Sequence, residues 1–464
     1  MFLLQRGKLV TRWDPNYVFL FDKFIRALKE CKAPLVKLRR VATFIQYGSS
    51  SLATKTPVGL PIVRMNNLKD DDWNFNDIKY ILLPKKEQQT WTLNKGDILF
   101  NRTNSKELVG KCAVWSRNDK WVFASYLIRV VLDGNKMLPE FATAFLSTKL
   151  GRMQIDAVSR QIAGMTNINS EEIRAFILPC PKIGIQKQVK DLITEAVEKR
   201  KKTEQQAAAL LASIDDFLLS GLGVVLPRQD DETIQSRMFK TNWQKVTSGR
   251  IDALYNQAPI YGGIENTHYP FVPLGIHTQY MQPGFAAGRS DQDETAAGWI
   301  QIRPTNIGEN RDLVFEKTIR ILPNSIKNSE REKIKDGEVL FNNTNSQELV
   351  GKSAYFNLER PFFCSNHITR ICSKPTLHPV FLTHIFNLYQ RRRVFYKYCI
   401  NWNNQSGINN DLLRRLHIPL PPIEKQKQIA AEIEQIRQQA RFMFAEALNQ
   451  FEATKKEIEK LILS

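Results

Sequence analysis

Long apolar runs are missing from this 464-residue chain. The longest, at 207–214 and 221–227, fall far short of the ~18–20 residues that cross a bilayer, so no membrane span is expected. The opening Met1–Arg6 has too short an apolar stretch for a secretory leader, and no small-residue cleavage site follows it. Cysteine is sparse. Six residues (Cys31, Cys112, Cys180, Cys364, Cys372, Cys399) form no Cys-x-x-Cys pair, which excludes a disulfide framework and fits a reducing, cytoplasmic setting. Cys364-x-x-His367 has no second pair to complete a zinc site, so these thiols read as ordinary part-buried residues.

Catalytic signatures are equally scarce. No Gly-x-x-x-x-Gly-Lys-Ser/Thr phosphate loop occurs, and Gly221-Leu-Gly223 lacks the third glycine of a dinucleotide fingerprint and follows a helix. No Asn-Pro-Pro-Tyr-type tetrapeptide is present, since Pro-Pro occurs only at 421–422. The six histidines (268, 277, 367, 378, 384, 417) all fall in the second half without a His-Glu-x-x-His, and read as structural. Asp70-Asp71-Asp72 and Asp291-x-Asp293-Glu294 sit at non-equivalent positions and read as solvated loop charge rather than a Mg²⁺ site. These absences argue against an enzyme and against a cofactor held by this chain.

What the chain does carry is positive charge and a duplication. Its formal charge of +19 favours a polyanion, or an anionic membrane surface, as partner. Residues 99–113 recur as 340–354 with three of fifteen positions changed, at an offset of 241. Ile168-Asn169 answers Ile408-Asn409, and 179–188 answers 419–428, at an offset of 240. Arg12-x-Asp14-x-x-Tyr17 answers Arg250-x-Asp252-x-x-Tyr255 at 238. Two copies of one unit are therefore fused head to tail.

Each copy begins with a mixed, mostly β part, roughly 33–183 and 240–423. Short strands are expected at 97–100, 121–123, 126–132 and 338–341, and proline-led helices at 139–148 and 379–389. Lys95-Gly-Asp97 and Asp336-Gly-Glu338 read as turns. A long helix closes each copy, from about 185 to 220 and from 424 onward. Ile193, Ala207 and Ile214 share a heptad row with Arg200, and Ala196, Leu210 and Phe217 form the companion row. Ile433, Ala440 and Ala447 make one row of the second helix, with Ile436, Met443 and Ile458 near the other. Neither seam can be buried by its own globular part, so the helices are expected to pair, antiparallel.

Asn, Gln and Arg read base edges, and several loops concentrate them. Candidate DNA contacts are Lys55, Arg64, Asn66, Arg102, Lys106, Arg160 and Gln161 in the first copy. In the second they are Arg289, Arg303, Asn343, Arg391, Arg392, Arg393, Asn401 and Asn404. Three adjacent cations at 391–393 repel unless an anion or water screens them. The repeated Phe-Asn-x-Thr-Asn-Ser turn reads as scaffold, its Asn and Ser closing on their own backbone. Positions that differ between copies, 102/343 and 106/347, are the better contacts.

The residues at this point resemble a known family. Ile408-Asn409, then Ile418-Pro-Leu-Pro-Pro-Ile-Glu-Lys-Gln-Lys-Gln-Ile429 opening a long helix, preceded by Gly-Asp/Glu-hydrophobic-Leu-Phe-Asn…Gly-Lys and duplicated, is similar to specificity subunits of type I restriction–modification systems. The first copy departs locally, with 178–186 reading Leu-Pro-Cys-Pro-Lys-Ile-Gly-Ile-Gln. The resemblance implies an α+β chain: target-recognition domains at 1–183 and 224–423, and spacer helices at 184–223 and 424–464 that pair as an antiparallel coiled coil. It also implies double-stranded DNA, two methyltransferase subunits and restriction subunits as partners. S-adenosylmethionine, ATP and Mg²⁺ would belong to those partners, and this chain would be non-catalytic. Base-contacting loops vary in the family, so no contact residue carries over.

Overall fold

The structure is a computed structural model that describes residues 14–464, apart from 70, 107, 163–164, 227–237, 239, 241–242, 245–249, 257–259, 294–297, 327–328 and 403–404. Arg12 and Asn404 thus lie outside the described residues. The chain divides into two compact units: residues 1–205 with 442–464, and residues 206–441. Each unit therefore takes one globular part and a portion of both long helices.

In the first unit, Ala42–Tyr47, Leu127–Leu132, Ile98–Asn101 and Cys112–Val114 form an antiparallel four-stranded sheet in that order. Ile98–Asn101 is buried on both faces, as befits an inner strand written as a continuous apolar run. Ile98 and Phe100 join the core that holds Phe141, Phe145 and Phe176. Leu99 points the other way, into a second core of Val63, Trp115, Trp121 and Phe123. A three-stranded sheet (Lys79–Ile81, Leu60–Val63, Val122–Phe123) lies beside that second core. Another joins Arg160–Ile162, Met165–Asn167 and Thr103–Asn104. Finally, Leu35–Lys37 pairs with Ile177–Pro179, the strand that leads into the central helix.

The second unit repeats this plan. Thr278–Pro283, Ile368–Ser373, Val339–Asn342 and Ser353–Tyr355 make its four-stranded sheet. Thr344–Asn345, Gln405–Gly407 and Ile400–Trp402 make its short one, and Phe271–Pro273 pairs with His417–Pro419. The proline-led helices run Pro139–Ser147 and Pro379–Arg391.

The repeated sequence motif is structural in both units. Asn101 donates to Leu108 O at 3.0 Å and Asn342 to Leu349 O at 2.9 Å, while Asn104 and Asn345 accept from the next residue's N–H. Gly110 and Gly351 take φ of +85° and +91°, and a Cβ there would strike Ile155 or the Phe395 ring, so only glycine fits. Asp97 and Glu338 do more than make a turn. Both are buried, and they face Arg129 and Arg370 at 3.5 and 3.8 Å, one buried ion pair per unit. Removing one partner would strand a charge in the core, which ties strand to strand across the sheet.

The long helices run Ile183–Gly221 and Ile423–Leu463. They pack antiparallel in both units. In the first, Val189 and Ile193 share a core with Phe451, Ile458 and Ile462, and the Arg200 guanidinium lies 4.0 Å over the Phe451 ring. In the second, Ile214 and Leu218 pack with Ile429, Ala430 and Ile433, and Ile436 packs against that cluster. Ile193, Arg200, Ala207, Ile214, Ile433, Ala440, Ala447 and Ile458 are buried. Ala196, Leu210, Phe217, Ile436 and Met443 are half-buried. Arg200 is tolerated in the seam because its cation sits on an aromatic face.

Candidate nucleic-acid interface

Polar side chains gather around the short three-stranded sheet of each unit. In the first unit, Arg160 pairs across Asn167, which in turn faces Thr103, and Thr103 Oγ1 donates to Asn167 Oδ1 at 2.5 Å. Arg160 is half-exposed and reaches Glu172 at 2.8 Å. Arg102 stacks over Tyr47, 5.0 Å from the ring centroid, leaving its Nε without a hydrogen bond. Arg64 is tied to Asp77 at 2.6 Å, and that bond holds the Asp77 carboxyl below its usual range. Lys55 and Lys106 are exposed in loops, and Asn66 is exposed on the short helical turn Met65–Asn67. Gln161 lies on the strand Arg160–Ile162, with its side chain outside the described part.

The second unit opens a cleft of about 920 Å³ at the same place. Arg303, Lys317, Asn345, His367 and Gln405 line it, with Glu316 as its one carboxylate among the described lining residues. Arg303 is the counterpart of Arg64, but its Nε and Nη2 both donate to the amide oxygen of Gln301, at 3.2 and 3.1 Å. It is thus held in place by a neutral group and keeps its charge for a ligand. Asn401 stands on the same sheet, where Ser406 faces both it and Asn345. Arg289 is exposed on a separate short turn.

Two sequence expectations are corrected here. Asn343 is buried and donates to Asn366 O at 3.1 Å and Thr369 Oγ1 at 2.9 Å, so it braces the sheet and faces no solvent. The anion that screens 391–393 is internal. Arg391 clasps Asp215 with two nitrogens and Arg392 lies 3.7 Å from Asp216, both carboxylates being on the central helix. Arg393 turns back over Tyr396, 5.4 Å from its ring. These arginines fasten the globular part to the helix. Lys317 and Gln405 escaped the sequence reading, and His367, expected to be structural, lines the cleft. The signal was there in part, since His367 stands where the first copy has Tyr126, just beyond matching strands.

Cys364 is fully buried, and burial pushes its thiol up to about 12, which suits packing and not metal binding. Among the described residues no group of His, Cys, Asp and Glu could hold a metal ion, and no helix is long and apolar enough to cross a membrane.

Duplicated β-rich parts, each followed by a long helix, define a tandem-repeat chain with a polar cleft in its second unit. The sequence matches the type I restriction modification DNA specificity domain over residues 36–210 and 295–452, and the chain belongs to that family. It is 25% identical over 220 residues to the EcoKI specificity subunit of Escherichia coli K12, covering 46% of this chain and 44% of that one. It is 31% identical over 124 residues to the StySPI specificity subunit of Salmonella potsdam, covering 26% and 27%. The matched stretches thus span less than half the length of these curated relatives. The crystal structure of the type I S subunit from M. genitalium is similar over 93% of this chain and 96% of that one, at 10% identity and a TM-score of 0.42.

Proposed function

We propose that this chain is the DNA-reading subunit of a type I restriction–modification complex, each globular part recognising one half of a bipartite site. The observation that carries this reading is the pattern of likeness between the units. Their scaffolds repeat down to single hydrogen bonds, whereas side chains at matching positions diverge: Tyr126 against His367, and an Arg64 paired with the Asp77 carboxylate against an Arg303 held by the neutral Gln301 amide. One fold presenting two chemistries suits two different half-sites. The paired helices then set the gap between readers and offer their outer faces to two methyltransferase subunits. Those partners, with a restriction subunit, would supply S-adenosylmethionine, ATP and Mg²⁺ in the cytoplasm. This chain itself performs no chemistry.

The test exchanges residues 33–183 for the matching part of a relative and sequences the methylome of a host carrying the partners. One half of the modified site changes and the other stays. Change in both halves, or in neither, refutes the modular reading. Cleavage or methyl transfer by the purified chain alone would refute the non-catalytic one.

A further inference from the structure

The second unit holds a cavity of about 620 Å³ away from the short sheet, bounded by the 311–315 loop, the start of the helix Pro379–Arg391, and residues 427–441 of the distal helix. Its charged lining carries Arg311, Lys427, Arg437 and Arg441 against Asp312 and Glu434, with Asp215 and Glu309 close enough to act on Arg311. Several donors there are shielded from water and unused. Arg311 gives one nitrogen to Gln390, while its Nε and Nη1 have no hydrogen-bond partner. Arg437 is 92% buried and bonds Asp312 through Nη2, while its Nε makes no hydrogen bond and lies 3.6 Å from the Glu434 carboxylate. His384 is almost wholly buried, and its Nε2 is likewise unpartnered. Buried polar atoms without a protein partner are uncommon and are met by water, an ion or a ligand.

The duplication supplies an internal control. Arg311 sits at a positive φ of 64°, and its counterpart Asp71 adopts the same conformation at 55°. At the positions of His378, His384 and Arg437, the first unit has Leu138, Ala144 and Val197. The fold is built without this cluster in one unit, so the scaffold does not require it in the other. These are also the histidines of the second half for which DNA reading has no use.

We infer that this cavity of the second unit is a phosphate-binding site, which takes the phosphate of a small phosphorylated molecule or of a DNA backbone. Arg311 and His384 line this cavity with unpartnered nitrogens, beside the Arg437 guanidinium, a set of groups suited to an oxyanion. Arg441 and Lys427 add charge at the rim. Phe315, Tyr355 and Leu358 leave an apolar wall for an organic moiety beyond the phosphate. The field there is positive enough to register on His384 itself: burial first, then Arg437 and Arg391, push its pKa down to about 3.

Calorimetric titration of the full chain with inorganic pyrophosphate tests the site. Saturable binding is expected, weakened about tenfold or more in Arg311→Asp, a residue the first unit already carries at that backbone conformation. Arg441→Gln is a second variant at a half-exposed position that cannot unfold the core, and it should weaken binding several-fold. Lys201→Gln, at the equivalent place in the first unit, should leave binding unchanged. Displacement of pyrophosphate by a duplex assigns the site to backbone phosphate, and persistence in saturating duplex assigns it to a free ligand. Absence of binding to the folded chain, or equal binding by Arg311→Asp and Arg441→Gln, overturns the proposal.

Discussion

Gln426 closes the start of the helix at Pro379 by accepting the N–H of His378 at 2.8 Å. Its amide nitrogen donates to Thr376 O and Pro421 O at 3.1 and 2.8 Å. Gln186 makes the matching set with Leu138 N, Lys136 O and Pro181 O, at 2.9, 3.1 and 2.9 Å. Both side chains are buried. One glutamine in the first turn of each long helix thus fixes that helix to the proline turn before it and to a helix of the globular part. Gln426→Ala leaves three backbone groups without that partner, and at ~1–3 kcal/mol for each group left unsatisfied the loss should reach at least roughly 3 kcal/mol. Urea unfolding followed by far-UV circular dichroism checks it. A loss below about 1 kcal/mol would show that water replaces the clamp.

Much of this was legible in the sequence. The duplication, both long helices and the strand at 98–101 follow from periodicity and repeat alone, because each is local and apolar. The glutamine clamp was visible only as a repeated Gln-Lys-Gln, without its purpose, since the groups it satisfies lie 48 and 50 residues away. The 391–393 cluster misled for the same reason. A run of cations announces a need for an anion, and it was met by Asp215 and Asp216, some 176 residues earlier in the chain. Asn343 failed as a contact because a difference between repeats marks either a ligand-facing or a repacked position, and the pattern does not distinguish the two.

The arginine cluster gives the second prediction. Since Arg391 and Arg392 are engaged by Asp215 and Asp216, the double Arg391→Ala, Arg392→Ala variant should lower thermal stability and change DNA affinity little. Arg303→Ala should do the reverse, weakening DNA binding with little loss of stability. Fluorescence anisotropy with a cognate duplex and a melting curve on each variant separate these outcomes. A larger affinity loss from the double variant would return 391–393 to the DNA interface.

His384 makes the second unit sensitive to acid. Its folded pKa lies at about 3, far below the ordinary 6.5, because it is buried beside Arg437 and Arg391. The unfolded chain therefore binds a proton that the folded one refuses, and stability falls as pH drops below about 6.5. One proton corresponds to ~1.4 kcal/mol per pH unit, so roughly 2 kcal/mol should go between pH 6.5 and pH 5. His384→Ala, the residue found at 144 in the first unit, should flatten that slope whatever it does to absolute stability. Parallel slopes in the two proteins would mean that other groups govern the acid limb.

Affinity for DNA should be strongly ionic, given the +19 charge. If the assembled complex neutralises about ten phosphates, raising salt from about 50 to 200 mM should cost roughly 10³–10⁵ in affinity. A log–log slope shallower than about −3 would count against an extended basic surface.

The last prediction concerns distance. Helices of 39 and 41 residues are about 60 Å long at ~1.5 Å per residue. If these helices set the distance between the readers, as proposed, the half-sites lie about one or more helical turns apart, a turn being ~34 Å. The seam is antiparallel and buries Ala207 and Ala440 near its middle, so a length change must be made in both helices to keep the rows matched. Inserting one heptad beside Ala207 and another beside Ala440 preserves the apolar rows and lengthens the rod by ~10 Å, or about three base pairs. Both half-sites should stay as they are while the gap between them widens by about that amount. A single insertion instead slips one seam row against the other, burying a mismatch, and should destabilise the pair at a cost comparable to a core truncation, ~2–5 kcal/mol. Methylome sequencing reads the gap. If a folded, active complex with the double insertion keeps its original gap, something other than these helices measures the distance.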